Sequence, residues 1–142
     1  MEVTPAHCYA CFDALLAALD GEIESAVPRR VRAFPDAAAG GLFVTWTRSA
    51  DSCLRGCIGS LSPLSLASGL PEYAVLSARD RRFAPITRLE VAGLECSVSV
   101  LHSFERALGG WEDWCVEPKV ARCKYLRRAL TLRSAPLRFA SL

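Results

Sequence analysis

The hexapeptide Leu54-Arg55-Gly56-Cys57-Ile58-Gly59 sets a cation, a thiol and two residues without side chains within one short stretch. Successive side chains of an extended strand point to opposite faces, so Arg55 and Cys57 share one face and Leu54 and Ile58 the other. Along such a strand the two functional groups are about 7 Å apart, two steps of roughly 3.3 Å. A nearby positive charge favours the thiolate, which is the nucleophilic form of cysteine. Gly56 and Gly59 keep the backbone open to close approach. The chemistry these residue types point to is a nucleophilic or redox thiol at Cys57, with Arg55 as an anion contact. The competing reading is a free cysteine packed as a small hydrophobe in a buried strand.

Other clusters are weaker. Cys8-Tyr9-Ala10-Cys11 has the spacing of half a zinc knuckle, but it falls inside a predicted helix while Cys53 and Cys57 flank a strand, so no metal site is expected. A redox dithiol at Cys8 and Cys11 lacks the preceding strand that the thioredoxin-like pattern requires. Of the two histidines, His7 and His102, the second follows a strand and is the better candidate base for a cysteine nucleophile. The charged run Arg79-Asp80-Arg81-Arg82-Phe83 closes a helix. It reads either as a solvated helix end or as a ligand-binding turn offering Asp80, Arg82 and Phe83 to a carboxylate or phosphate. Phosphate-loop, dinucleotide, metalloprotease and nucleophile-elbow signatures are absent, and no cofactor is expected.

The chain that must position these residues has 142 of them, enough for one domain with a real core. It is 51% hydrophobic and 23% charged, values typical of globular proteins rather than disordered ones. No apolar run reaches the roughly 18 residues of a membrane helix, and no secretory signal opens the chain. Seven cysteines, an odd number without an export signal, point to reduced thiols and an intracellular protein, cytoplasmic or nuclear. Residues 1–118 carry ten basic and fifteen acidic side chains, whereas residues 119–142 carry seven basic and none acidic. That basic tail would suit an acidic partner, but a solvated terminus is the favoured reading and a nucleic-acid partner is not expected.

Thr4 as N-cap and Pro5 at the first helical position open a helix whose apolar residues Cys8, Phe12, Leu15, Leu16 and Leu19 recur at helical spacing, ending near Asp20-Gly21. Residues 22–41 read as a long surface connection. Leu42–Thr47 and Cys53–Leu61 predict an antiparallel hairpin, placing the hexapeptide on its second strand. Two helical pieces split by Gly69 and Pro71 are expected next, the second running from Pro71 towards Arg79. Thr87-Arg88-Leu89-Glu90 matches a capping box and starts a short helical turn. Leu94, Cys96, Val98 and Val100 alternate with Glu95, Ser97 and Ser99, the clearest half-buried strand. Ser103 is the expected cap of a short helix through Leu108, and Trp111, Trp114 and Val116 suggest an aromatic patch or short strand.

Five of these segments together resemble the AMMECR domain family, named after a chromosomal region linked to Alport syndrome with midface hypoplasia and elliptocytosis. The segments are Leu54–Gly59, Cys8-Tyr9-Ala10-Cys11-Phe12-Asp13, Leu42–Trp46, Asp80-Arg81-Arg82-Phe83 with Pro85, and Cys96–Leu101. The resemblance implies an α+β fold, an antiparallel sheet flanked by helices in two lobes, with the Leu54–Gly59 strand lining a cleft. Taken with the strand face shared by Arg55 and Cys57 and with the charged run, it leads to the expectation of a small anionic ligand met by Arg55, Gly56, Gly59, Asp80, Arg82 and Phe83, with thiol-dependent enzymatic or redox chemistry at Cys57; a non-catalytic interaction module is the alternative. Relatives fused to, or encoded beside, Memo-type domains and radical-SAM proteins make those the implied partners. The matching segments lie within residues 8–104 and the family-like pattern fades after Trp114, which implies a domain over residues 1–118, incomplete at its C-terminus, followed by the basic tail over 119–142.

Overall fold

The computed structural model describes residues 4–21 and 38–102, together with the strand backbone at 114–117, 120–123 and 128–134. Helix α1 spans Pro5–Leu19. It starts as the sequence predicts, with Thr4 in an extended conformation as N-cap and Pro5 at the first helical position. His7 takes the place usually held by Glu in a capping box, its Nδ1 accepting the Thr4 backbone N–H at 3.1 Å. Gly21 follows the helix at φ 76°, a left-handed position that glycine adopts without steric cost. Cys8, Cys11, Phe12 and Leu15 form its buried stripe.

Strand β1 (Ala38–Ala39) precedes β2 (Gly41–Arg48), which turns into β3 (Leu54–Ser60). The predicted hairpin is therefore present, with Val44 opposite Ile58 and Thr45 opposite Cys57. Its turn is closed by Ser52 at φ 56° and by Asp51, whose carboxylate accepts the Cys53 N–H at 3.0 Å. After β4 (Leu64–Ser65), which pairs with β1, the chain enters α2 (Leu66–Ala78). Here the expectation of two helical pieces is corrected: one helix runs through Gly69 and Pro71. Leu66, Leu70 and Ala74 are buried at four-residue intervals, and their packing outweighs the one helical hydrogen bond that Pro71 cannot make. The Cβ of any other residue at 69 would meet the Leu64 side chain.

A 3₁₀ turn over Arg88–Gly93 starts at the Thr87–Glu90 capping box, as predicted, and leads into β5 (Leu94–His102). Strands β6 (Trp114–Glu117) and β7 (Val120–Cys123) form a separate hairpin, and β8 (Arg128–Ser134) completes the main sheet in the order β3-β2-β5-β8. Neighbours in that sheet are antiparallel throughout. The range 119–142, expected as a basic tail, thus holds the backbone of β7 and β8. The expected helix over 103–108, Trp111, and most of the connection over 22–41 lie outside the described residues.

Both helices lie on one face of the sheet. Leu42, Val44 and Trp46 of β2 and Leu94, Cys96, Val98 and Val100 of β5 point into this core and are fully enclosed. Trp46 anchors it: its indole N–H donates to the Ala74 carbonyl at 3.0 Å, and the Phe12 ring meets it edge-on with centroids 4.9 Å apart. The arrangement is an α+β fold, a helix-backed antiparallel sheet.

Candidate functional site

The alternation that buries Val44 and Trp46 turns Phe43 and Thr45 to the other face, and register places Gly59 and Cys57 opposite them, while Arg55 falls at a register irregularity where it has no partner on β2. Ser97 and Ser99 of β5 continue this face, opposite Thr45 and Phe43 respectively. All these side chains are half-buried. Cys57 is a free thiol, and the Thr45 hydroxyl stands 3.1 Å from its sulfur as a hydrogen-bond donor.

Among the described residues strand β3 is a sheet edge, so alternate residues turn an N–H and C=O away from β2. At Cys57 both are satisfied by a side-chain pair from the residues after α2. The N–H donates to Asp80 Oδ2 at 3.0 Å, and the C=O accepts from Arg82 Nη2 at 3.0 Å. Asp80 and Arg82 also join directly, Nη2 to Oδ2 at 2.7 Å, and Asp80 accepts the Arg82 backbone N–H at 3.1 Å. The pair thereby does what a fifth strand would do, at one residue. The Arg82 guanidinium, followed by the Cys57 N–H, holds the Asp80 carboxyl well below the usual carboxylate range. Asp80 is buried, whereas the Arg82 side chain is 60% exposed and lies 5.5 Å from the Phe83 ring centre.

On the core face, Ser77 of α2 ties the hairpin together. Its buried hydroxyl accepts the Ile58 N–H at 3.0 Å and donates to the Val44 carbonyl at 2.8 Å. This needs α2 to lie against β3, and Gly56 permits it: a Cβ there would stand 1.9 Å from the Ser77 carbonyl oxygen. Gly59 serves the other face, where a Cβ would stand 2.4 Å from the Phe43 ring and 2.2 Å from the Leu42 carbonyl oxygen. The close approaches at both glycines are made by the protein itself.

Arg55 is also engaged. Its Nη2 lies 2.8 Å and its Nε 3.0 Å from Glu90 Oε1, and Nη2 donates to the Ala84 carbonyl at 3.2 Å. Glu90 Oε2 meanwhile accepts the Thr87 N–H at 2.8 Å and its hydroxyl at 3.0 Å. Burial works against charge on Glu90, but the Thr87 donors and Arg55 outweigh it and the carboxyl titrates below its ordinary range. Arg55 Nη1 has no hydrogen-bond partner among the described residues, so the guanidinium keeps donors for a further acceptor.

Comparison with known proteins places this geometry. The family model described as AMMECR1 matches residues 8–121, most of the chain. The chain belongs to the AMMECR1 family. It is 44% identical over 108 residues to the uncharacterized protein At2g38710 of Arabidopsis thaliana, which covers 73% of this chain and 47% of the relative. The uncharacterized protein YOR289W of Saccharomyces cerevisiae is 33% identical over 81 residues, 49% of this chain and 32% of the relative. Among solved structures, the uncharacterized protein PH0010 of Pyrococcus horikoshii superposes with a TM-score of 0.60 at 30% identity, covering 70% of this chain and 51% of that one. The chain thus spans between 32% and 51% of the length of these relatives.

Within this AMMECR1 domain the sequence-predicted residues Arg55, Cys57, Asp80, Arg82 and Phe83 gather around one end of β3, while Gly56 packs on the opposite face against α2. His7 caps α1 and is held below its ordinary titration range by burial, with a hydrogen bond at Thr4 opposing. Cys8 and Cys11 are core residues of α1. His102 ends β5, and its side chain is outside the described residues. Among the described residues no set of three His, Cys, Asp or Glu side chains is arranged to hold a metal ion, and no helix is long and apolar enough to cross a membrane. Thr45, Ser77 and Glu90 complete the site but were not singled out from sequence as its members. A buried serine on an apolar helix face was the readable signal for Ser77; Thr45 and Glu90 required the register and the loop path.

Proposed function

We propose that this AMMECR1 domain binds a small anionic ligand on the polar face of β2, β3 and β5, with Cys57 as nucleophile or redox thiol and Arg55 as the anion contact. The observation that carries this reading is the state of Cys57: its backbone is fixed through both outward-facing polar groups while its sulfur stays free, half-buried and contacted by the Thr45 hydroxyl. A clamped main chain carrying a thiol outside any disulfide is what a reaction requiring fixed geometry needs. Arg55 keeps its Glu90 partner and reaches a ligand carboxylate or phosphate with its remaining donors. Native mass spectrometry of the intact protein, purified without denaturation, tests this: a retained small molecule that disappears in Arg55→Lys supports it. A domain that stays bare after incubation with a small-molecule extract overturns it.

A specific observation favours a second reading. Arg55 and Arg82 are both joined to acidic partners, Glu90 and Asp80, so the charge of the site is largely balanced internally. A non-catalytic interaction module, docking a Memo-type or radical-SAM partner, needs no free charge at this place. Under that reading Cys57→Ser leaves function intact, whereas under the first it abolishes it.

A further inference from the structure

The sheet face that carries Cys57 continues across β2 and β5 into β8. Thr45 stands opposite Cys57 on one side and opposite Ser97 on the other, and Ser97 stands opposite Arg133. One residue from each strand thus forms a single row, in the order thiol, hydroxyl, hydroxyl, guanidinium. Strands lie roughly 4.8 Å apart, so three steps place the backbone of Arg133 about 14 Å from that of Cys57. Leu130 and Leu132 of β8 are in register with the core residues Val100 and Val98, so alternation assigns Arg133 to the other face, with Ser97. The Thr45 hydroxyl donates to the Cys57 sulfur at 3.1 Å, and the half-buried Ser97 has no hydrogen-bond partner among the described residues.

We infer that Arg133 is a second anion contact of the Cys57 site, so that the ligand is an elongated anion lying along this row with its carboxylate or phosphate at Arg133. The inference rests on the reading of Cys57 as the thiol of a ligand site, and it narrows the class of ligand. A charge held next to the reacting group does not span three strands; the ligand must carry its anionic end several bonds away, over the hydroxyls of Thr45 and Ser97. The basic stretch of the sequence supplies that end of the row, since residues 119–142 hold seven basic and no acidic side chains. Its other strand arginine, Arg128, lies opposite His102, five positions from the row. Arg55, by contrast, is committed to Glu90 and the Ala84 carbonyl and falls outside the β2–β3 register. The competing acceptor for Arg133 is Glu95, two residues along β5 from Ser97 on the same face.

The test alkylates the folded full chain at low salt with iodoacetamidohexanoate and with its uncharged primary amide. Initial rates at Cys57 are read by peptide mass spectrometry, with the exposed Cys53 as internal reference. In both reagents the sulfur displaces iodide and the thiol proton passes to buffer, so they differ only in the distant charge. The expected result is a preference for the carboxylate reagent at Cys57, relative to Cys53, of roughly two- to five-fold, the size of an exposed ion pair. It should vanish in Arg133→Gln, return in Arg133→Lys, persist in Arg128→Gln and fade as salt is raised. Iodoacetate, whose carboxylate stays beside the sulfur, should show no such preference over iodoacetamide. An equal preference for iodoacetate, or one that survives Arg133→Gln, overturns the inference; the first is read on the wild-type chain even where Arg133→Gln fails to fold. Equal wild-type rates at a reactive Cys57, as when Glu95 occupies Arg133, overturn it too but leave the thiol reading standing. A Cys57 that no reagent modifies overturns both.

Discussion

Asp80 accepts the backbone N–H of Cys57 at 3.0 Å from the edge of the sheet where a neighbouring strand would otherwise lie. The same carboxylate holds Arg82, which returns to the Cys57 carbonyl. One residue of the hairpin is thus gripped from outside through both its polar groups, and it is the residue that bears the thiol. The fold uses a local ion pair to fix a strand edge that natural sheets otherwise leave open to pairing with other chains.

Replacing Asp80 by Asn keeps an acceptor for the Cys57 N–H but removes the charge that Arg82 meets. The expected outcome is a lower urea midpoint and faster hydrogen exchange at the Cys57 amide. Asp51→Asn, which weakens the exposed Arg48–Asp51 pair, leaves the midpoint nearly unchanged. Equal effects of the two substitutions would contradict the role given to Asp80.

Gly56→Ala forces a methyl into the Ser77 carbonyl, and α2 must move off β3. Overpacking of this kind costs about 2–3 kcal/mol. Nothing lies within 4 Å of a Cβ at Gly93, and its backbone is not left-handed. Gly93→Ala therefore changes stability by less than about 0.5 kcal/mol. Equilibrium urea denaturation of both variants checks the contrast.

Trp46→Phe removes the indole donor to the buried Ala74 carbonyl and leaves part of the indole volume empty. A loss of about 2–3 kcal/mol is expected from the lost hydrogen bond and the cavity together. The near-ultraviolet spectrum of the variant should still show a packed core, because the face of the sheet stays apolar.

Much of this was readable in the chain. Period-two alternation in Leu94–Leu101 and the β-branched and aromatic run at Leu42–Thr47 identify the two inner strands of the sheet, whereas the strict alternation expected between Arg55 and Cys57 meets a register irregularity at Arg55 that the chain does not announce. Thr4-Pro5 and the Thr87–Glu90 box announce their elements because capping is a local event. Glu90 meets Arg55 across 35 positions and Asp80 meets Cys57 across 23, so neither pairing leaves a local trace. Pro71 misleads because its intrinsic cost is local while the burial of Leu66, Leu70 and Ala74 that overrides it is tertiary. In β8, Leu130 and Leu132 alternate with Thr131 and Arg133, but the surrounding arginines hide the pattern.

Acid titration should show two separate losses of stability. His7 is held below its ordinary value of 6.5, so as pH falls through that value the unfolded chain takes up a proton that the folded chain refuses. Stability is complete above pH 6.5 and declines below it. Asp80 and Glu90 are held below their ordinary values, so their contribution is complete above the usual carboxylate range and is lost as pH falls beneath it. His7→Gln should remove the first loss and keep the second, as read by urea midpoints between pH 8 and 3.

The rates at which Cys57 and Cys53 are alkylated by iodoacetamide at pH 7 bear most directly on the central claim, since both lie at β3 and each serves as the other's control. Cys53 is exposed and Cys57 half-buried, so access alone favours Cys53. A site built around the Cys57 sulfur predicts the reverse order, with Cys57 modified first and slowed in Thr45→Val. Modification of Cys53 well ahead of Cys57, unchanged by that substitution, would contradict it.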